Sequence, residues 1–303
     1  MNTKGKILVT PRSLTRSGHP ALDRLREAGF EVVYSPAGRQ PSEAELIKLL
    51  PACLGYLAGV EPVTAKVLEH ADQLRAISRN GTGINNIDLT AAKLRGIQIL
   101  PAAGANARSV AELAWALILG LARGIPASDA ALKRNEWDRQ PGLELEGRTL
   151  GIVGFGTIGK LVARFGGAFG MRVLAFDPFP SGDGVEFVDL DTIWRESDVI
   201  SLHCPPPESG TLIDDQSLAA MRDSAFLINT ARAELVDDSA ILSVLNSGRL
   251  GGYATDVFRN EPPGDDPLAH HPKVIATPHI GAFTPESIGR AVTVAVDRLL
   301  AIL

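Results

Sequence analysis

The feature that most restricts what this chain can fold into is a strand–turn–helix near its middle. The apolar run Thr149–Val153 leads into Gly154-Phe155-Gly156-Thr157-Ile158-Gly159 and then into the helix-like stretch Lys160–Ala168. A second apolar run, Arg172–Phe176, follows and ends in Asp177, 18 positions past the last glycine. Alone, G-x-G-x-x-G says little. Between a strand and a helix, with an acid at the tip of the next strand, it predicts a βαβ unit that binds a dinucleotide. Gly154 makes the tight turn, Gly156 admits a pyrophosphate, and Gly159 lets helix and strand pack closely. The helix start at Thr157 and Ile158 then offers free N–H groups and the positive end of its dipole to the phosphates. Asp177 is placed to accept hydrogen bonds from ribose hydroxyls and to repel a 2′-phosphate. The expected cofactor is NAD rather than NADP.

The same alternation of short apolar runs and helical patterns extends almost from end to end, which predicts α/β architecture with parallel sheets. Expected strands in the first third are Lys6–Thr10, Glu31–Tyr34, Gly55–Ala58, Ala76–Ser78 and Gln98–Leu100. Helices are expected at Ala21–Ala28, Glu43–Leu50 (capped by Ser42), Thr64–Glu69 and Leu89–Arg95. A longer helix, Ser109–Arg123, is followed by a second to about Arg134. Beyond Asp177 the expected strands are Val199–Leu202, Ala225–Asn229, Gly252–Ala254 and Val274–Ala276. Thr284-Pro285-Glu286 reads as an N-cap with proline at the first helical position, opening a last helix that returns to the N-terminal unit.

At 303 residues two domains are expected. They are a substrate domain of residues 1–99 plus 284–303 and a nucleotide domain of residues 100–283. A net charge of −5 gives no reason to expect nucleic acid or an anionic membrane as a partner. Cys53 and Cys204 lack metal-ligand spacing, so no metal is expected, and both suit a reducing compartment. Residues 6–10 already read as a strand rather than a secretory leader. The greasiest segment, Ala111–Ala122, contains Glu112 and is too short to span a bilayer. The cytoplasm is the expected address.

Three segments bear chemistry, each after a predicted parallel strand, where open α/β sheets bind ligands. They are Leu227–Arg232, Thr255–Pro262 and Thr277–Gly281. Together they supply a fixed cation in Arg232, a carboxylate in Glu261 and an imidazole in His279. Transfer of a hydride to or from a secondary alcohol needs a group that moves the hydroxyl proton and a positive charge that polarises the carbonyl. Histidine suits the first task, and a neighbouring carboxylate fixes its tautomer and favours its protonated form. Arginine suits the second, gripping a carboxylate as a fork. Singly, each has an ordinary alternative: Arg232 as a surface ion-pair partner, Glu261 as a solvated loop acid, His279 as a capping or core histidine.

Jointly, these segments and the glycine turn resemble the D-isomer-specific 2-hydroxyacid dehydrogenases, the likeness running from about Gly55 to Thr284. The resemblance implies a Rossmann-type doubly wound parallel sheet domain inserted into a smaller flavodoxin-like α/β substrate domain. It implies an NAD-dependent enzyme interconverting a D-2-hydroxy acid and its 2-keto acid. Arg232 would bind the substrate carboxylate and polarise the keto oxygen, His279 would be the acid/base, and Glu261 its partner. Asp256 would contact the nicotinamide carboxamide. His203-Cys204-Pro205, Thr230, Ala231 and Gly281 would line the cofactor. On the substrate side the likeness points to Ala58 and Gly59, to backbone N–H groups near Thr82 and Gly83, and to Asn106. The helix after Asn106 would belong to a homodimer interface of the NAD-binding domain.

The pattern also has departures. Phosphoglycerate-specific members commonly carry Arg-Ser where this chain has Ala58-Gly59-Val60-Glu61, which counts against a phosphorylated substrate unless Arg12 or Arg79 replaces the lost charge. Ala233 stands where glycine usually follows the arginine and is expected to be tolerated if its φ is negative. The turn Pro206–Gly210 is a residue short. The chain ends where longer relatives continue into a regulatory domain, so feedback through one is not expected. A non-catalytic NAD(H)-sensing protein on the same scaffold is the alternative reading.

Overall fold

The computed structural model describes residues 3–208 and 210–303; Ser209, in the short turn noted above, lies outside them. Contacts divide the chain into two compact units, Met1–Asn106 with Thr284–Leu303, and Ala107–Phe283. The change of unit falls a little beyond residue 99 because the strand there continues, still paired, to Pro101.

In the first unit the elements are β1 (Gly5–Val9), α1 (Arg12–Ser17), α2 (Asp23–Glu27), β2 (Phe30–Tyr34), α3 (Glu43–Leu49), β3 (Cys53–Ala58), α4 (Ala65–Glu69), β4 (Ala76–Arg79), α5 (Leu89–Leu94) and β5 (Gln98–Pro101). The strands form one parallel sheet in the order β2-β1-β3-β4-β5, the flavodoxin-like arrangement. Both faces are covered, so the strands are apolar on both sides rather than alternating. Leu8 faces a cluster with Leu46, Val67, Leu68 and Ala92, whereas Ile7 and Val9 face one with Leu22, Leu25, Val292, Val296 and Leu299. α3 starts at a complete capping box, with Ser42 and Glu45 bonding reciprocally. The helix expected over 21–28 is broken: Pro20–Leu22 is a 3-10 turn, and α2 begins only at Asp23.

The second unit contains α6 (Ala107–Arg123), α7 (Ile125–Lys133), β6 (Thr149–Val153), α8 (Thr157–Ala168), β7 (Arg172–Phe176), β8 (Glu186–Phe187), α9 (Leu190–Glu196), β9 (Val199–Leu202), α10 (Asp215–Ala220), β10 (Phe226–Asn229), α11 (Asp238–Asn246), β11 (Gly252–Thr255) and β12 (Val274–Ala276). All seven strands are parallel, in the order β12-β11-β10-β9-β6-β7-β8. This is the doubly wound Rossmann order with one further strand. Trp115, Ile118 and Val162 of α6 and α8 cover one face; Ile193, Trp194, Leu218 and Ile241 of α9, α10 and α11 cover the other. Trp115 donates its indole N–H to the Val162 carbonyl at 3.1 Å, so the buried ring leaves no donor unpaired. The last helix, α12 (Pro285–Ile302), is capped by Thr284 as expected and belongs to the first unit. Among the described residues no single helix is long and apolar enough to cross a membrane, and no cluster of metal-ligating side chains occurs.

Candidate active site

The order of the second sheet reverses at β6 and β9, and ligands of such sheets sit outside the carboxyl ends at that point. The glycine turn follows β6 there, and His203-Cys204-Pro205 follows β9. Gly154 has φ +95°, and a Cβ on it would lie 2.6 Å from the His203 carbonyl. A Cβ on Gly159 would lie 2.1 Å from the Gly154 carbonyl oxygen. Gly156 is different, since a Cβ there would meet nothing within 4 Å. Two of the glycines therefore build the turn, and Gly156 borders open space.

Gly156 caps α8 with no side-chain hydrogen bond. The first-turn N–H groups, at Thr157 and Ile158 among them, have no partner within the helix and face outward as helix geometry dictates. Asp177 accepts the Phe155 N–H at 2.7 Å on one oxygen and the Phe179 N–H at 2.9 Å on the other. Each oxygen keeps a second acceptor site for a ribose hydroxyl. Thr230 has a buried Oγ1 with no partner among the described residues. The open space at Gly156, the uncapped helix start and the orphan hydroxyl fit a bound dinucleotide.

Burial holds the His203 pKa at about 3, so the ring is neutral, and its Nε2 lies 2.9 Å from Ser201 Oγ. Burial pushes the Cys204 thiol up to about 11, so it stays protonated near neutral pH, and Pro205 beside it is exposed.

The three chemistry-bearing segments follow the adjacent strands β10, β11 and β12. After β10, the buried Asn229 accepts the Ala231 N–H at 3.1 Å and donates to the Arg232 carbonyl at 2.8 Å, folding Thr230–Arg232 into a fixed turn. Arg232 is half-buried, and its side chain's only hydrogen bond among the described residues runs from Nη1 to the Ala231 carbonyl at 2.7 Å. The rest of its fork is free. Ala233 starts a 3-10 turn and is not among the residues with positive φ, so glycine is not needed there.

After β12, His279 adopts φ +52°, a left-handed conformation costly for a residue with a Cβ. Asp256, after β11, holds it there. This carboxylate is 1% exposed. It accepts the Thr277 hydroxyl at 2.6 Å, the Ile280 N–H at 2.8 Å and the Gly281 N–H at 2.7 Å. Asp256 and Gly281 thus meet each other, and the expected cofactor contacts must use whatever acceptor capacity that leaves. Both oxygens of Glu261 lie 2.9 Å from His279 Nδ1, and Glu261 also accepts the Phe258 N–H at 3.2 Å. The pairing leaves Nε2 free. Sequence reasoning missed Asn229 and Thr277; a polar residue at or just past a strand's carboxyl end was the signal available.

The substrate-side residues lie in the first unit. The N–H groups of Thr82 and Gly83 make no hydrogen bond among the described residues, and Asn106 is half-buried where the chain leaves the unit. Ala58 and Gly59 behave otherwise. The Ala58 carbonyl accepts the Asn80 N–H at 2.9 Å, and the Gly59 N–H is turned inward to Glu61 at 2.8 Å.

The chain matches the model of the D-isomer specific 2-hydroxyacid dehydrogenase, NAD binding domain, over residues 115–281. It is 42% identical over 264 residues to a hydroxypyruvate reductase of Thermotoga maritima, covering 84% of this chain and 86% of that protein. It is 37% identical over 303 residues to a D-3-phosphoglycerate dehydrogenase of Synechocystis, covering 96% of this chain and 54% of that one, so it spans about half the length of such relatives. The solved D-2-hydroxyisocaproate dehydrogenase superposes with a TM-score of 0.87 at 27% identity, covering 97% of this chain and 96% of that chain. With the glycine turn, the acid at Asp177 and the imidazole–carboxylate pair on one doubly wound sheet, the chain belongs to the D-isomer-specific 2-hydroxyacid dehydrogenases, NAD-dependent oxidoreductases.

Proposed function

We propose that this chain reduces a small 2-keto acid to its D-2-hydroxy acid, and catalyses the reverse, through Arg232, Glu261 and His279. The observation that carries the reading is the Glu261–His279 pair, whose Nδ1 contact at 2.9 Å leaves Nε2 to face a substrate oxygen. NAD, held at the Gly156 turn and by Asp177, supplies the hydride acceptor or donor. Protonated His279 gives its Nε2 proton to the carbonyl oxygen during reduction and recovers it during oxidation. Glu261 stabilises the imidazolium and keeps the tautomer. Arg232 turns its free fork to the substrate carboxylate and the developing oxyanion. The unpaired N–H groups of Thr82 and Gly83 support the first unit as the substrate domain.

A homodimer through the NAD-binding unit is part of this reading. It is supported by the exposure of Ile125 and Leu132 on α7 and of Trp137 beyond it, each more than half exposed. Light scattering of the purified chain tests it.

The reaction is tested by following NADH oxidation with glyoxylate, hydroxypyruvate and phosphohydroxypyruvate. Turnover that His279→Ala reduces at least about 100-fold supports the assignment. Turnover that survives in His279→Ala refutes the acid/base role. NADH binding without turnover of any 2-keto acid refutes the proposed reaction.

A further inference from the structure

The loop that carries Glu261 has little backbone support. From Phe258 to Pro267 no residue takes part in a backbone-to-backbone hydrogen bond among the described residues. The nearest such bonds on either side run from the Asp256 N–H to the Asn229 carbonyl at 3.1 Å and from the His271 N–H to the Leu268 carbonyl at 3.2 Å. Asn260, Glu261 and Pro262 are exposed. A segment with so few ties opens locally at low cost. Glu261 nevertheless has to keep its carboxylate 2.9 Å from Nδ1 of His279. Its bond from the Phe258 N–H at 3.2 Å fixes the carboxylate to the loop, not the loop to the fold. The same holds for the contact of His270 with the Gly264 carbonyl.

One side chain supplies the missing tie. Arg259 donates from Nη2 to the Val236 carbonyl at 2.8 Å and from Nε to Asp238 Oδ2 at 3.0 Å. Apart from the Glu261–His279 contact itself, these are the hydrogen bonds that join the loop to an element outside it among the described residues. The anchor is firm. Val236 is fully buried and its N–H is bonded to the Ala233 carbonyl at 3.2 Å, while Asp238 opens α11 behind the capping Asp237. The same turn begins at Arg232, whose carbonyl accepts the Leu235 N–H at 3.3 Å and the Asn229 side chain at 2.8 Å. Burial pushes the Asp238 carboxyl up from its ordinary range, and the Arg259 guanidinium opposes this and favours the ionised form. The planar fork of arginine serves both acceptors at once, which a lysine ammonium does less well.

We propose that Arg259 is a positioning residue of the reaction: bonded to Val236 and Asp238, it fastens the loop to the turn that carries Arg232, so that Glu261 stays on Nδ1 of His279. All of these groups belong to the second unit. The role rests on the dehydrogenase reading above and deepens its account of the acid/base pair.

The test is a double-mutant cycle of Arg259→Ala and Glu261→Gln in the reduction of glyoxylate and hydroxypyruvate. Arg259→Ala is expected to lower kcat about tenfold and to change KM less than about twofold, because Glu261 acts on the imidazolium formed during reaction. NADH affinity and melting temperature are expected to stay near wild type, since the half-exposed Arg259 is part of neither the glycine turn nor the core. In the Glu261→Gln background the same change is expected to cost less than about twofold, because a residue acting through Glu261 then has nothing to position. Arg259→Lys, which keeps the charge, is expected to recover part of kcat, and it replaces Arg259→Ala in the cycle if that variant does not fold. Equal losses in the two backgrounds, or an Arg259→Ala kcat equal to wild type, overturn the proposal.

An activity-independent arm reads the ring itself by nitrogen NMR of histidine-labelled protein, with the His279 signals identified by their loss in His279→Gln. At a pH where the imidazole is neutral, wild type is expected to carry the ring proton on Nδ1, and Arg259→Ala to show a mixture with the Nε2–H form. Identical tautomer populations in the two proteins overturn the positioning role. If wild type reduces no 2-keto acid at all, the dehydrogenase reading fails, and the NMR arm still decides whether Arg259 holds the pair together.

Discussion

Both carboxylate oxygens of Glu261 stand 2.9 Å from Nδ1 of His279, across 18 residues of chain. The contact orients the ring and leaves its other nitrogen for chemistry. His279→Asn and Arg232→Ala are each expected to lower kcat/KM at least about 100-fold. Glu261→Gln, which keeps an acceptor and loses the charge, is expected to cost about tenfold to 100-fold. NADH binding, read by fluorescence titration, stays near wild type in all three, because none of these side chains forms the glycine turn.

The glycines at 156 and 159 separate binding from folding. Gly159→Ala places a Cβ 2.1 Å from a backbone oxygen, which forces α8 off β6 and is expected to lower the melting temperature by several degrees or prevent folding. Gly156→Ala meets nothing and has an ordinary φ of −73°, so it is expected to fold with an unchanged melting temperature. Its methyl occupies the open space assigned to the pyrophosphate, and NADH affinity is expected to fall at least about tenfold. Calorimetry and NADH titration on the two variants check this together.

Asp256 is a positioning residue for the histidine turn. Asp256→Ala leaves the Thr277 hydroxyl and the Ile280 and Gly281 N–H groups without their acceptor, each costing about 1–3 kcal/mol. With the turn released, His279 relaxes from its left-handed φ, and kcat is expected to fall at least about tenfold while the fold persists at reduced stability. The milder Asp256→Asn keeps one carbonyl acceptor and is expected to lie between. Chemical denaturation and steady-state kinetics of both variants are the check.

His203 gives the fold an acid weakness. Its folded pKa of about 3 lies below its ordinary value of 6.5, because burial disfavours the charged ring. Between those values the unfolded chain binds more protons. The stability from the neutral ring is therefore complete above about pH 6.5 and lost progressively as pH falls toward about 3. His203→Gln, which cannot charge, is expected to lose less of its urea midpoint between about pH 7 and about pH 4 than wild type does. Equal losses in the two proteins refute this account of the acid sensitivity.

Much of this was legible because it is local. The strand–turn–helix at 149–168, the acid at Asp177, the Ser42 capping box and the Thr284-Pro285 helix start all lie within a few residues of the backbone they organise. Elements with weak local signals escaped. The edge strand β8 has two residues, too few to show a period, and α1, α9, α10 and α11 are short helices shaped by packing on the sheets.

The sequence by itself determined the parallel α/β class, the dinucleotide turn and the NAD cofactor, since each depends on residue type at fixed short spacing. Tertiary structure alone decided which polar groups meet. Thr10 reaches Glu61 across 51 residues, and Asp256 reaches Gly281 across 25. The physical reason is that sheet register and order bring distant strand ends side by side. At those ends buried donors and acceptors must be satisfied by whatever lies opposite, and that neighbour is set by the whole fold.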